Sequence, residues 1–382
     1  MNHISKIIII GTNHHNTLSM VRSFGEEGQK VTLYIYGAQR SYIASSIYVE
    51  RASFFSSASD AIDAVYSCIC PSGERPLVIA CSDEVSSLMD KHYDELVSKC
   101  YFFNAGKAGR VTSFMDKQKQ LELAKECGFS VPSSIDTLPN SANFSKVNYP
   151  CFVKPQSSIY GGKNIAICQT PAELKTALNK YNPEYRVLIQ DYIRKEYEIV
   201  VLGLSVGKTI IIPGYIQKHR EERGGTTYST VRPISDLPQH IVGACRQMIK
   251  EIGYQGLWGI ECIKQGDDYF FLELNMRNDA TTYSMKTAGV NLPYLYFKLI
   301  DSPEVDLDIK SVRPVRPINS IVEFNDFNFV LKGKVGLIKW YREYKGSECK
   351  YFHSVEDPKP YRLERCEYIR FLRKRILNRM LS

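Results

Sequence analysis

Four side chains draw attention before any fold is assigned: Glu261, and then Glu273, Asn275 and Arg277, spaced two apart. Residues 258–277 read as two strands joined by a tight turn at 265–268. Side chains alternate along a strand, so Glu273, Asn275 and Arg277 share a face. With the turn centred on Asp267, Glu261 lies opposite Glu273 on that face. Two carboxylates so placed repel by about 0.2–1 kcal/mol even when partly wet. Ile260, Cys262, Phe271, Leu272 and Leu274 surround them with apolar groups, which raises that cost. A divalent cation is the simplest offset. Carboxylates with an amide carbonyl suit Mg²⁺ carrying phosphates, with Mn²⁺ as the alternative. The plainer reading is an ordinary hairpin whose polar side faces water; lysines upstream speak against it.

Those lysines lie in two places. Asp116-Lys117 opens a helix that runs to about Glu126 and stops at Gly128. Residues 149–155 read as a strand carrying Lys154 near its end. After it comes a polar loop with Ser157, Ser158, Gly161 and Gly162. A lysine followed by a flexible run of backbone donors is a phosphate cradle in outline. It is not the Gly-x-x-x-x-Gly-Lys-Ser/Thr loop. No Ser/His/Asp or Cys/His arrangement argues for a covalent nucleophile.

The elements that must hold these groups follow from the pattern. Strands and helices alternate from residue 6 to about 105, which predicts an open parallel sheet. Its first turn, residues 11–16, has one glycine where a dinucleotide fingerprint needs three. His14 and His15 there read as surface histidines. Ligands of such sheets sit beyond the strands' carboxyl ends, where Ser82, Asp83 and Glu84 either contact substrate or cap the next helix. Thr170-Pro171-Ala172-Glu173 is a capping box for a helix over 172–180. The fold class is therefore α/β and α+β, divided at 1–105, 106–192, 193–310 and 311–382.

The chain has 382 residues, a formal charge of +8 and 44% hydrophobic residues. The charge permits contact with phosphates, nucleic acid or anionic membranes and demands none. The basic residues are scattered without interleaved stacking aromatics, which leaves nucleic-acid binding little support. Eleven cysteines without a Cys-x-x-Cys pair read as reduced thiols in the cytoplasm. No apolar run is long enough to span a bilayer, and the start lacks a cleavable signal. In the last helix Ile369, Leu372, Ile376 and Met380 fall on one face amid arginines. We read it as docking on its own domain, with peripheral contact to an anionic membrane as the alternative.

Taken in order, Asp116-Lys117, Lys154 with its loop, residues 190–196, and Glu261 followed by Glu273-x-Asn275-x-Arg277 resemble the ATP-grasp superfamily over about residues 105–300. The nearest likeness is to carboxylate–amine ligases such as D-aspartate ligase and carbamoyl-phosphate synthetase large chains. The resemblance implies a pre-ATP-grasp domain followed by two subdomains that clamp ATP. Lys117 and Lys154 would bind phosphates, and Lys154 would also approach the adenine. The loop with Ser157, Ser158, Gly161 and Gly162 would close over them. The backbone of Asp191 and Ile193 would read the adenine, with Gln190 beside them, and Glu196 or Glu198 would hold the ribose. Glu261, Glu273 and Asn275 would hold Mg²⁺, and Arg277 would neutralise the transferring phosphoryl. Gln190, where many relatives have Glu, and Arg194-Lys195 depart from the family pattern. The activity implied is joining of a small carboxylate to an amine through an acyl phosphate. The competing readings are a nucleotide-binding regulator without ligation and a phosphotransferase to an alcohol. Substrate contacts are expected from 82–84, 220–227 and 278–282, with Arg220 or Arg223 facing an anion. A homo-oligomer is compatible with all of this.

Overall fold

The computed structural model describes residues 4–67, 75–156, 165–222, 225–302 and 315–380, with side chains as far as residue 374. Three sheets follow one another along the chain. The first is the expected parallel sheet, made of β1 (Ile4–Gly11), β2 (Val31–Tyr36), β3 (Val49–Phe55), β4 (Arg75–Ala80) and β5 (Tyr101–Phe102), in the order β3-β2-β1-β4-β5. The run of isoleucines in β1 is buried on both faces. Ile7 and Ile9 enter one apolar cluster, and Ile8 and Ile10 the other. Chain direction across the sheet reverses between β1 and β4, so the loops leaving those two strands form a crevice. Residues 12–16 and 81–83 line it.

The second sheet is antiparallel, with β6 (Ser134–Thr137), β7 (Cys151–Pro155), β8 (Ala166–Cys168) and β9 (Val187–Asp191) in the order β6-β9-β7-β8. The helix Pro171–Leu178 covers it, started by Thr170, whose hydroxyl accepts from Glu173 N. The Glu173 carboxylate reaches back to Gln169 N, one residue before the usual capping-box partner.

The third sheet has seven strands: β10 (Tyr197–Val206), β11 (Thr209–Glu222), β12 (Gly225–Pro233), β13 (Gly256–Gln265), β14 (Asp268–Asn275), β15 (Ile318–Ile321) and β16 (Cys349–Lys350). Their order is β14-β13-β10-β11-β12-β15-β16. Strands β15 and β16 come from the segment after 310, so the division expected there does not separate the sheets. Gly203 is required where β10 crosses β13: a Cβ would lie 2.3 Å from the ring of buried Trp258. The amphipathic helix Gln239–Ile252 covers this sheet and ends on Gly253 at φ 70.

The last helix, Pro358–Met380, has Leu372 of the expected face half-buried and Ile369 exposed, and the side chains of Ile376 and Met380 lie outside the described residues. Tyr361, Glu364, Tyr368 and Leu372 are half-buried, and Tyr361 and Tyr368 pack on Phe324. Ile369 and Phe371 are exposed. Among the described residues no helix is long and apolar enough to cross a membrane. The nine described cysteines are free; Cys68 and Cys70 lie outside the described residues.

Candidate active site

The facing pair of acids forms as the alternation predicts, by a route the sequence does not show. The turn closes one residue earlier, with Gln265 opposite Asp268 and Gly266 at φ 58. A bulge in β14 between Phe271 and Glu273 then restores the register, so that Glu261 stands opposite Glu273 and Gly259 opposite Asn275. Asn275 Nδ2 donates to Glu261 Oε1 at 3.1 Å, and its Oδ1 accepts from Arg277 at 3.0 Å.

The helix Lys117–Glu126 is fixed over this face. Its cap Asp116 accepts from the backbone of Gln118 and Lys119. Gln120, buried, clamps Leu274 of β14: its Nε2 donates to Leu274 O and its Oε1 accepts from Leu274 N, both at 2.9 Å. Lys117 N also donates to Gln156 O, just past β7. Two lysines far apart in sequence are thus brought together. Lys117 Nζ lies 3.8 Å from Glu273 Oε1. Lys154 is only 6% exposed, and among the described residues no carboxylate lies within ion-pair distance of it. Burial first, and then the charge of Lys117, push the Lys154 pKa down to about 8.

A third lysine, unremarked in the sequence, completes the face. Lys218 on β11 is paired in register with Glu198 on β10. Its Nζ reaches Glu261 Oε2 at 2.7 Å, Glu221 at 3.0 Å and Glu198 at 3.4 Å. Burial opposes its charge, yet the three carboxylates raise its pKa well above the ordinary lysine value. Burial raises the Glu261 carboxyl, with Lys218 pulling the other way. Lys218, Lys117 and Asn275 therefore offset the repulsion between the acids, and a metal is not needed to make their placement tolerable. Among the described residues no cluster of three or more His, Cys, Asp or Glu is arranged to hold a metal. Two facing carboxylates and an amide oxygen remain a hard-cation donor set, and the lysines around them supply charge for an anion.

Arg277 joins this face to the crevice of the first sheet. Its Nε donates to Asp83 Oδ1 at 2.8 Å, and it also donates to Asn278 O at 3.1 Å. Burial works against its charge, but Asp83 and Asp279 raise its pKa. Of the two readings of residues 82–84, capping is what is seen: Ser82 caps the helix Asp83–Lys91, and Asp83 pairs with Arg277. Asn16 ties the same corner together by donating to Cys81 O at 3.1 Å and Asn278 O at 3.3 Å. His15 is buried against Tyr351 and Phe352 and is not a surface residue.

Other expected contacts fall differently. Gln190 is buried, and among the described residues its Nε2 has no partner. Asp191 N donates to Ser133 O. Ile193 is half-buried in the linker to β10, and among the described residues its N–H has no partner. Glu196 is exposed and accepts from Gly266 N at 2.7 Å, bracing the hairpin turn, while Glu198 faces Lys218. Ser157, Ser158, Gly161, Gly162 and Arg223 lie outside the described residues. Arg220 does not face the site. It forms a two-pronged pair with Asp326 at 2.8–2.9 Å and also meets Glu343, and Thr227 donates to Asp326.

The comparisons agree with this geometry. The ATP-grasp domain family matches residues 122–291. The carbamoyl phosphate synthase large chain of Pseudomonas aeruginosa is 27% identical over 190 residues, 47% of this chain and 17% of that one. The Clostridium acetobutylicum protein is 28% identical over 201 residues, 49% and 18% of the two chains. This chain thus spans less than a fifth of the length of these curated relatives. Among solved structures, an ADP complex of N5-carboxyaminoimidazole ribonucleotide synthetase superposes with a TM-score of 0.66 at 13% identity, over 87% of this chain and 85% of the other. The L-amino acid ligase of Bacillus licheniformis gives 0.64 at 16%, over 84% and 80%. At such identities these two show a shared fold. Lys154 and the facing acids Glu261 and Glu273 lie inside the segment 122–291 that matches the ATP-grasp domain family, and Lys117 lies just before it.

Proposed function

We propose that the protein is an ATP-dependent ligase that activates a small carboxylate as an acyl phosphate and joins it to an amine, releasing ADP and phosphate. The observation that carries this reading is Lys154, a buried ammonium that feels the charge of Lys117 and has no carboxylate within ion-pair distance among the described residues. A like-charged pair kept out of water lowers its energy by taking an anion, and a triphosphate supplies one. Lys117 and Lys154 then align the chain of phosphates, while the linker from Gln190 to Ile193 faces the base and Glu198 is the better placed acid for the ribose.

In the first step a carboxylate oxygen attacks the γ-phosphorus, the bond to the β–γ bridging oxygen breaks, and ADP leaves. Arg277, fixed by Asp83, meets the negative charge that develops on the transferring group. In the second step the amine attacks the acyl carbon, the carbon–oxygen bond to phosphate breaks, and the amine proton leaves to solvent or phosphate. Neither step needs a covalent nucleophile on the protein. Glu261, Glu273 and Asn275 would hold Mg²⁺ or Mn²⁺, which when bound neutralises charge on the phosphates. The acceptor corner is the crevice around Asp83, Asn278 and Asp279. A cytoplasmic setting is part of this reading, supported by the free cysteines among the described residues and by the use of ATP.

One observation favours a second reading. Both Glu261 oxygens already accept from protein donors, as suits a nucleotide-binding regulator that does not turn over. Incubation with Mg-ATP, a panel of amino acids and other acids, amines and hydroxylamine separates the two. Ligation gives ADP and a trapped hydroxamate with at least one acid. Nucleotide binding without ADP release across the panel would favour the regulator.

A further inference from the structure

Outside the cleft, the helix Leu337–Gly346 leaves one face uncovered. Its inner face is occupied. Trp340 Nε1 donates to Asp326 Oδ2 at 2.9 Å, its ring stacks on Tyr344, and Glu343 meets Arg220 at 2.8 Å. Helical spacing puts Ile338, Tyr341, Arg342 and Lys345 on the opposite side, with Leu337 at its margin. Leu337 is 59% exposed, Ile338 71% and Tyr341 52%. Single exposed apolar side chains are ordinary, but three on one face of a ten-residue helix are not. The charge around them is mainly positive, with Glu343 the acid on the same helix and held by Arg220. Lys334, Arg342 and Lys345 have no acidic partner among the described residues, and Lys339 comes no closer than 3.9 Å to Glu343.

Beside this helix a cavity of about 580 Å³ opens onto β11 and β12, lined by Lys334 and Lys339 and also by Arg220 and Glu343, which are paired with each other at 2.8 Å. Part of its lining is polar and neutral. The Thr230 hydroxyl donates to Asn319 Oδ1 at 2.8 Å, so His219 Nε2 is the donor in its 2.7 Å bond to Thr230. His219 Nδ1 is left as an acceptor in a cavity that the two lysines also line.

We propose that this surface docks on an anionic lipid bilayer. Leu337, Ile338 and Tyr341 enter the boundary between headgroups and acyl chains, and Arg342 and Lys345 meet lipid phosphates at that level. The cavity between Lys334 and Lys339 receives one headgroup, its phosphate on the lysines and a hydroxyl donating to His219 Nδ1. Charge argues against a second copy of the chain: a two-fold contact would set Arg342 and Lys345 against their equivalents. Shape argues for a bilayer, because the apolar side chains protrude and form no groove. This inference stands whether or not the ligase reading is right.

The test is co-sedimentation of the full chain with phosphatidylcholine vesicles, with and without phosphatidylglycerol. Binding is expected only with the anionic lipid, falling as salt rises. Leu337→Glu with Ile338→Glu, and separately Lys339→Glu with Lys345→Glu, should each lower the partition coefficient by about tenfold or more. Thermal unfolding and nucleotide binding should stay unchanged in both variants. The proposal is overturned if the wild type ignores anionic vesicles or if binding survives both double variants. A dimer in sedimentation velocity that Ile338→Glu dissociates, without vesicle binding, would overturn it in favour of a contact between copies.

Discussion

Lys154 is costly to keep, and its cost is measurable. Its pKa of about 8 lies below the ordinary lysine value, so between pH 8 and about 10.5 the unfolded chain binds more protons than the folded one. Its penalty on stability is therefore full below pH 8 and relieved as pH rises through that window. Lys154→Met should stabilise the nucleotide-free protein by roughly 1–3 kcal/mol at pH 7, with the gain fading towards pH 10.5 in urea titrations. A variant no more stable than wild type at pH 7 would deny the buried charge. ATP affinity should fall above pH 8, by up to about tenfold per pH unit, as the ammonium is lost. Glu273→Gln keeps the shape of its side chain and removes the charge paired with Lys117. Metal-dependent ATP turnover should disappear while the melting temperature stays within a few degrees; full activity would remove Glu273 from the metal site.

At the scale of elements, the site depends on a helix, a hairpin and a strand holding register. Gln120 is the clasp between the helix and β14. Gln120→Ala leaves a buried N–H and a buried C=O of Leu274 unpaired, at a cost of about 1–3 kcal/mol each. It should also raise the KM for ATP, because Lys117 loses its seat over Glu273. Unchanged stability and KM would mean that the helix is held by other contacts.

The same scale shows what could be read beforehand. Glu261 and Glu273 belong to one hairpin, so strand alternation pointed to their meeting, but the observed turn alone would set Glu261 opposite Leu272, and the bulge is what brings Glu273 there. The bulge was not legible, because it follows from closure of the turn at Gly266 and Asp267. Lys218 was hidden for a different reason. Its side chain faces Glu261 only because β10 lies between β11 and β13, and strand order is not written in local pattern. Arg220, two residues on, reads as a free loop cation until Asp326, 106 residues away, arrives beside it. The parallel sheet was plain from its alternating strands and helices, whereas the membership of β15 and β16 in the third sheet depends on contacts far along the chain.

Across the whole molecule, the end of the chain is stapled to its beginning. Arg22, fully buried, donates to Asp357 Oδ2 at 3.1 Å and to the carbonyls of Tyr351, Phe352 and Asp357 at 2.9–3.0 Å. The first helix is thereby fastened to the extension that carries the exposed face of the helix Leu337–Gly346. Arg22→Leu strands the Asp357 carboxylate in the interior and should cost about 3–5 kcal/mol in chemical denaturation. A loss below about 1 kcal/mol would show that Ser46 and Ile47, its other partners, suffice.

The lysine seat for the triphosphate is tested most directly by calorimetric titration of Mg-ATP into the wild type and Lys154→Met at pH 7. The wild type should bind ATP, and the variant, though more stable, should bind it at least about tenfold more weakly, a loss of about 1.4 kcal/mol. Equal affinity in the two proteins would contradict the assignment.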